Sequence, residues 1–134
     1  MNFTAVVDNS ALIEFFVNPK PNRRLENRLF TGTAAAPELI DAEAFKVIRR
    51  LHLNAVLTEP QATGIMQRVH EAPITRFTHR ALSQRAWEIR HAVSAFDAFY
   101  VALAEQLGVP LITCDKRLAG ANGHNADIEV YPVS

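Results

Sequence analysis

Residues 94–118, SAFDAFYVALAEQLGVPLITCDKRL, limit the fold more than any other stretch of the chain. Ser94 is a good N-cap residue, and Ala95 to Leu107 holds strong helix formers with no Gly or Pro among them. Gly108 follows, where a helix commonly ends in a left-handed residue. Val109 to Thr113 is then a short apolar run of the length and character of a buried strand. The helix is apolar on nearly every side, so more than one face has to be covered. It nevertheless carries Asp97, followed at helical spacing by Val101 and Ala104. The strand ends on a second acid, Asp115. Carboxylates on buried elements are costly unless something positive meets them.

The rest of the chain repeats the alternation. Strands are expected over residues 3–7, 34–36, 73–77 and 128–131. Helices are expected over 11–17, 21–30, 38–53, 59–71 and 78–92, with Pro37 in the first turn of the third and with Trp87 and Ile89 as core residues of the last. Leu39, Glu43, Val47 and Leu51 form one stripe of the long third helix, which sets an acid in an apolar line. Short apolar strands separated by helices imply a mainly parallel sheet covered on both faces, a three-layer α/β/α sandwich. At 134 residues the chain is long enough for one cored domain, taken as 1–134, and too short for two. In such sheets ligands bind beyond the carboxyl ends of the strands, where Asp8 and Asp115 both fall.

Bulk charge says little about function: 14 Lys and Arg balance 14 Asp and Glu. The single cysteine, Cys114, excludes an internal disulfide and fits a reducing compartment. No signal-peptide pattern opens the chain, and no apolar run approaches the roughly 18 residues of a membrane span. A soluble, cytoplasmic protein is the expectation.

Each acid has a bland reading beside the functional one. Asp8, between a strand and a helix, suits an N-cap. Ser94 and Asp97 have the spacing of a capping box. Asp115 suits a cap for the turn at Lys116-Arg117, and Glu43 suits a partner for an Arg. Taken together, two acids end strands at the ligand-binding edge and two lie on helix faces turned inward. If they converge, their charges repel and each pKa rises, a conflict that a divalent cation resolves. Hard carboxylate oxygens suit Mg2+ or Mn2+. The five histidines show no paired ligand spacing. Nucleophile elbows, phosphate loops and dinucleotide fingerprints are absent. A cation held by acids points to phosphate chemistry with water as nucleophile. Ser10 and Thr113 stand beside two of the acids as hydroxyls able to orient water or a ligand.

Three blocks then carry a family resemblance: VVDNSAL around Asp8, PELIDAEAFKVIRR around Glu43, and FDAFYVALAEQLGVPLITCDKRL around Asp97 and Asp115. In this order they resemble the PIN-domain ribonucleases, and specifically the VapC-type toxins of toxin–antitoxin modules. The resemblance implies Mg2+- or Mn2+-dependent cleavage of RNA, leaving a 5′-phosphate and a 3′-hydroxyl. It assigns metal-binding and catalytic roles to Asp8, Glu43, Asp97 and Asp115, with Thr113 as a nearby hydroxyl. It further implies a homodimer and inhibition by a VapB-like antitoxin. Asn9 replaces a small residue common after the first acid, and Glu14 adds an acid to the first helix.

Two rival readings stay open on the sequence. One is a receiver-like signalling domain with an acidic Mg2+ pocket. The other is a catalytically inactive module that binds RNA or protein on the same fold. Arg23, Arg24, Arg28, Lys116 and Arg117 are candidate RNA contacts. Leu12, Phe15, Phe16 and Leu29 are candidates for a groove that takes a partner helix.

Overall fold

The structure, a computed structural model, describes residues 2–133. Its first strand, β1 (Ala5–Val7), is buried along its whole length, which requires cover on both faces. The chain continues through α1 (Asn9–Val17), α2 (Arg23–Phe30), β2 (Ala34–Pro37), α3 (Leu39–Leu53), α4 (Glu59–Glu71) and β3 (Ile74–Phe77). A single 3-10 turn at Arg80–Leu82 leads into α5 (Ser83–Glu88). Then come α6 (Ala95–Leu107), β4 (Leu111–Thr113), α7 (Lys116–Ala119) and β5 (Ile128–Val130).

The five strands lie in the order β3-β2-β1-β4-β5, and every neighbouring pair is parallel. Val6 registers with Leu111 and Val7 with Ile112, so Asp8 and Asp115 leave the sheet at the same edge. The chain lays strands outward from β1 in one direction, then returns to lay β4 and β5 on the other side. The point of reversal, between β1 and β4, is where open parallel sheets leave a crevice. This order also differs from the 2-1-3-4-5 order of receiver domains, which removes that reading. Helix α1 packs on α3 and α4, α5 packs on α6, and α6 lies across β1, β2 and β4. Val6, Val7, Leu111 and Ile112 meet Ile40, Ile48, Val101 and Leu103 in the core. No helix is long and apolar enough to cross a membrane, among the described residues.

The sequence expectations fail locally, for identifiable reasons. Pro37 is not in a first helical turn: it is the last residue of β2 and registers with Phe77. The N-terminus of α3 instead draws its cap from far away, with Leu39 N–H donating to His79 Nε2 at 3.0 Å. The helix expected over 78–92 is reduced to the 3-10 turn and α5. Thr78 and His79 run past the end of α3, where His79 serves as that cap. Trp87 is not core. It is 68 % exposed, with the Arg90 guanidinium stacked on its ring at 4.3 Å. Ile89 is buried as expected. The inward face of α3 is Ile40, Ala44 and Ile48, so Leu39, Glu43 and Val47 lie on its flank, half-buried. Gly108 closes α6 at φ +67°, the left-handed end foreseen from the sequence.

Candidate active site

Asp8 follows β1 and is also the N-cap of α1, its carboxylate accepting from Ala11 N–H at 3.0 Å. The capping reading of this acid therefore holds, and the same carboxylate also lines the crevice. Ser10 Oγ donates to Oδ1 at 2.7 Å, and Thr113 Oγ donates to Oδ2 at 2.5 Å. The two hydroxyls lie 3.2 Å apart, and Ser10 Oγ also accepts from Cys114 N–H, so α1 and β4 are tied together beneath the acid. Burial raises the Asp8 pKa from 3.8 to about 6. The three donors pull it back down and the nearby Asp97 charge adds to the rise, but desolvation is the largest effect.

Glu43 reaches the same place from α3. Tyr100, fully buried on α6, donates its hydroxyl to Glu43 Oε1 at 2.6 Å. Burial raises the Glu43 pKa; the phenol opposes this, Asp97 and Asp8 add to it, and Lys46 lowers it. The phenol is itself pushed up by burial and then by the carboxylate, so it remains a neutral donor. Asp97 sits in the first turn of α6, where Ser94 Oγ donates to Oδ2 at 2.8 Å. The capping box suggested by its spacing is not formed, since Ser94 makes no side-chain bond to the helix backbone.

Asp115 departs from the expectation that every clustered acid rises. It caps α7 through Arg117 N–H at 2.9 Å and pairs with both ends of the Arg117 guanidinium at 3.2 Å. Hydrogen bonding from Arg117 is the main reason its pKa is lowered.

Asp8, Glu43, Asp97 and Asp115 all line one hollow of about 420 Å³. Asn9, Ser10, Glu14, Tyr100 and Arg50 share its wall. Thr113 stands behind Asp8, fully buried. Glu14, flagged by sequence only as an added acid, is buried on α1 and accepts from Asn18 Nδ2 at 2.7 Å. Tyr100 and Arg50 were not singled out from sequence. Tyr100 reads as one more apolar core residue, and Arg50 as one of eleven arginines.

The donor set is all oxygen and mostly anionic, which suits a hard dication. The Asn9 Oδ1 atom is buried beside it with no hydrogen-bond partner among the described residues. That orphan acceptor fits a hydrated ion, whose waters donate. No three His, Cys, Asp or Glu side chains among the described residues are disposed to hold one ion by themselves.

Residues 5–123 match the PIN domain family. The chain is similar to ribonuclease VapC12 of Mycobacterium tuberculosis, with 36% identity over 125 residues that make up 93% of this chain and 97% of VapC12. Among solved structures it resembles PAE2754 of Pyrobaculum aerophilum, with a TM-score of 0.71 at 18% identity over 94% of this chain and 83% of the other. A chain of VapBC2 from Rickettsia felis, bound to a DNA fragment from the promoter, gives a TM-score of 0.69 at 12% identity over 94% of this chain and 97% of the other. With the acids of three separate sequence blocks gathered at the reversal point of a 3-2-1-4-5 parallel sheet, this chain belongs to the PIN-domain family, in its VapC branch.

Proposed function

We propose that this chain is a metal-dependent endoribonuclease, the toxin of a toxin–antitoxin pair, built as a single PIN-like domain over 1–134. The observation that carries the reading is the hollow between the ends of β1 and β4, where Asp8, Glu43, Asp97 and Asp115 share one wall. In this reading Asp8, Glu43 and Asp97 hold Mg2+ or Mn2+ directly or through water, and Asp115 completes the pocket. A bound dication polarises the phosphodiester and lowers the pKa of water for attack, leaving a 5′-phosphate and a 3′-hydroxyl. The chain's own residues supply position and charge. Ser10 and Thr113 fix both oxygens of Asp8. Tyr100 fixes Glu43, so that negative oxygens face the hollow when the phosphate arrives. Single-stranded or looped RNA is the substrate that bends into such a cleft.

The partner we propose is a VapB-like antitoxin. A small apolar groove of about 90 Å³ lies at the far side of α1, lined by Phe15, Phe16, Leu29 and Phe30 among others. Phe30 is largely exposed there, which suits an apolar helix face. Leu12, Phe15, Phe16 and Leu29 all line this groove, Leu12 being the buried one, and it is the surface we propose for the partner helix. A homodimer is the assembly we expect, to be read by light scattering.

The test is purified protein with labelled single-stranded RNA and Mn2+. Wild-type protein should cleave it to 5′-phosphate products, chelator should stop cleavage, and Asp8→Asn should abolish it. Asn retains the N-cap, so loss of activity would not be loss of the fold. Intact RNA with the wild type across several substrates, or equal cleavage by Asp8→Asn, would sink the proposal and favour a binding module.

A further inference from the structure

Among the described residues, Arg50 is the one base that lines the acidic hollow. It extends from α3 on the same face as Glu43 and Val47, at i+7 and i+3 from them. Both neighbours also line the hollow. Several guanidiniums elsewhere are taken up by structure; those of Arg23, Arg49, Arg68 and Arg80 are not, but none of these four lines the acidic hollow. Arg28 is held by Glu129 and by Thr4 C=O. Arg76 is held by Asp41 and the carbonyls of Val69, Ala72 and Ile74. Arg85 is held by Glu105 and Glu88. The Arg50 guanidinium has no hydrogen-bond or ion-pair partner among the described residues, although five acids share its hollow.

A second hollow of about 250 Å³ shares Asp97 and Asp115 with the first and is also lined by Arg117. The two adjoin at these acids as one trough, with Arg50 in the wall of one part and Arg117 in the wall of the other. Arg117 is already engaged by Asp115, whereas Arg50 is free.

A chain of phosphates lying along this trough meets the acids at one phosphate and Arg50 at a neighbouring one. We propose that Arg50 is the substrate-positioning residue of this site. It binds, through a two-pronged guanidinium–phosphate contact, a phosphate adjacent to the bond that is cut. This rests on the nuclease reading and adds the direction of the RNA path, along α3. Guanidinium geometry matches phosphate oxygens in pairs, and ammonium does not. An arginine at this place holds the backbone next to a site whose negative charge would otherwise repel it.

The experiment separates this claim from the reading beneath it. RNA binding is measured in the Asp8→Asn background, which leaves the oligonucleotide intact, at several salt concentrations. Arg50→Ala should weaken binding roughly tenfold and lower the slope of log affinity against log salt by about 0.7, the value for one phosphate contact on a single strand. Arg49→Ala removes the same charge from the next position, which faces another hollow, and should leave the slope unchanged. Arg50→Lys should restore the slope but not the full affinity. In the otherwise wild-type enzyme, Arg50→Ala should raise KM and spare kcat. Equal slopes and affinities for the Arg50 and Arg49 variants would overturn the assignment even if the wild type cleaves RNA. A specific loss of slope in a protein that never cleaves would keep Arg50 as a phosphate contact and defeat the nuclease.

Discussion

Asp8 and Asp115 leave adjacent strands of one sheet at the same edge, yet their carboxylates sit in opposite conditions. Asp8 is 5 % exposed, bound only by neutral donors, and its pKa is pushed up. Asp115 stands at the rim beside a guanidinium that is 92 % exposed, and its pKa is drawn down. Thr113 touches both, donating to Asp8 and accepting from Asp115 N–H at 3.0 Å. The difference lies in what each acid meets beyond that shared hydroxyl. Neutral hydrogen bonds orient a buried carboxylate without cancelling its charge, whereas an arginine satisfies one outright. Uncompensated negative charge is therefore deepest at Asp8 and shallowest at Asp115.

The largest expected effect breaks the Asp8 side. Its rise from 3.8 to about 6 corresponds to about 3 kcal/mol at neutral pH. The folded state keeps this proton to higher pH than the unfolded chain does. Stability from the group is thus full below pH 3.8 and declines as pH rises to about 6. In chelator at pH 8, Asp8→Asn should be more stable than the wild type by up to about 3 kcal/mol in urea titration. The advantage should vanish below pH 3.8, where both side chains are neutral. Added Mg2+ should stabilise the wild type and not the variant. Equal stabilities at pH 8 would mean that Asp8 bears no cost of burial.

Next in size is the shared hydroxyl. Thr113→Val removes the donor to Asp8 Oδ2 and the acceptor of Asp115 N–H, both at a fully buried residue, and should cost roughly 1–3 kcal/mol. Thr113→Ser keeps both bonds and should recover most of that loss in the same denaturation measurement. Tyr100→Phe should come third. It deletes the one hydroxyl that holds Glu43, destabilises by about 1 kcal/mol, and lowers kcat more than it raises KM if that carboxylate acts at the reacting phosphate.

The sequence made this site legible where local rules suffice. Strand-ending acids at Asp8 and Asp115, the αL stop at Gly108 and the buried helix of Asp97 all follow from short-range patterns. What it hid depends on contacts across the fold. His79 caps α3 from forty positions away, so neither Pro37 nor Thr78 behaves as its neighbours suggest. Tyr100 reaches Glu43 across 57 positions, which no periodicity reveals. The assumption that all the acids would rise together overlooked Arg117, two positions from Asp115, because charge balance alone does not tell which side chains meet.

The smallest expected effect sharpens the comparison at its shallow end. Arg117 competes with any cation for Asp115, since its guanidinium takes both carboxylate oxygens. An exposed pair of this kind is screened by solvent and adds little to stability, so Arg117→Ala should leave unfolding in chelator unchanged within error. The freed carboxylate should instead appear in metal binding. The Mg2+ concentration that gives half of the stabilisation should fall by up to about fivefold, the most that such a pair can withhold. Asp115→Asn should shift that midpoint the opposite way, and the double variant should match Asp115→Asn alone. If Arg117→Ala leaves the midpoint where it is while Asp8→Asn removes the response entirely, the ion is held from the β1 side only, and Asp115 is a cap with a rim partner.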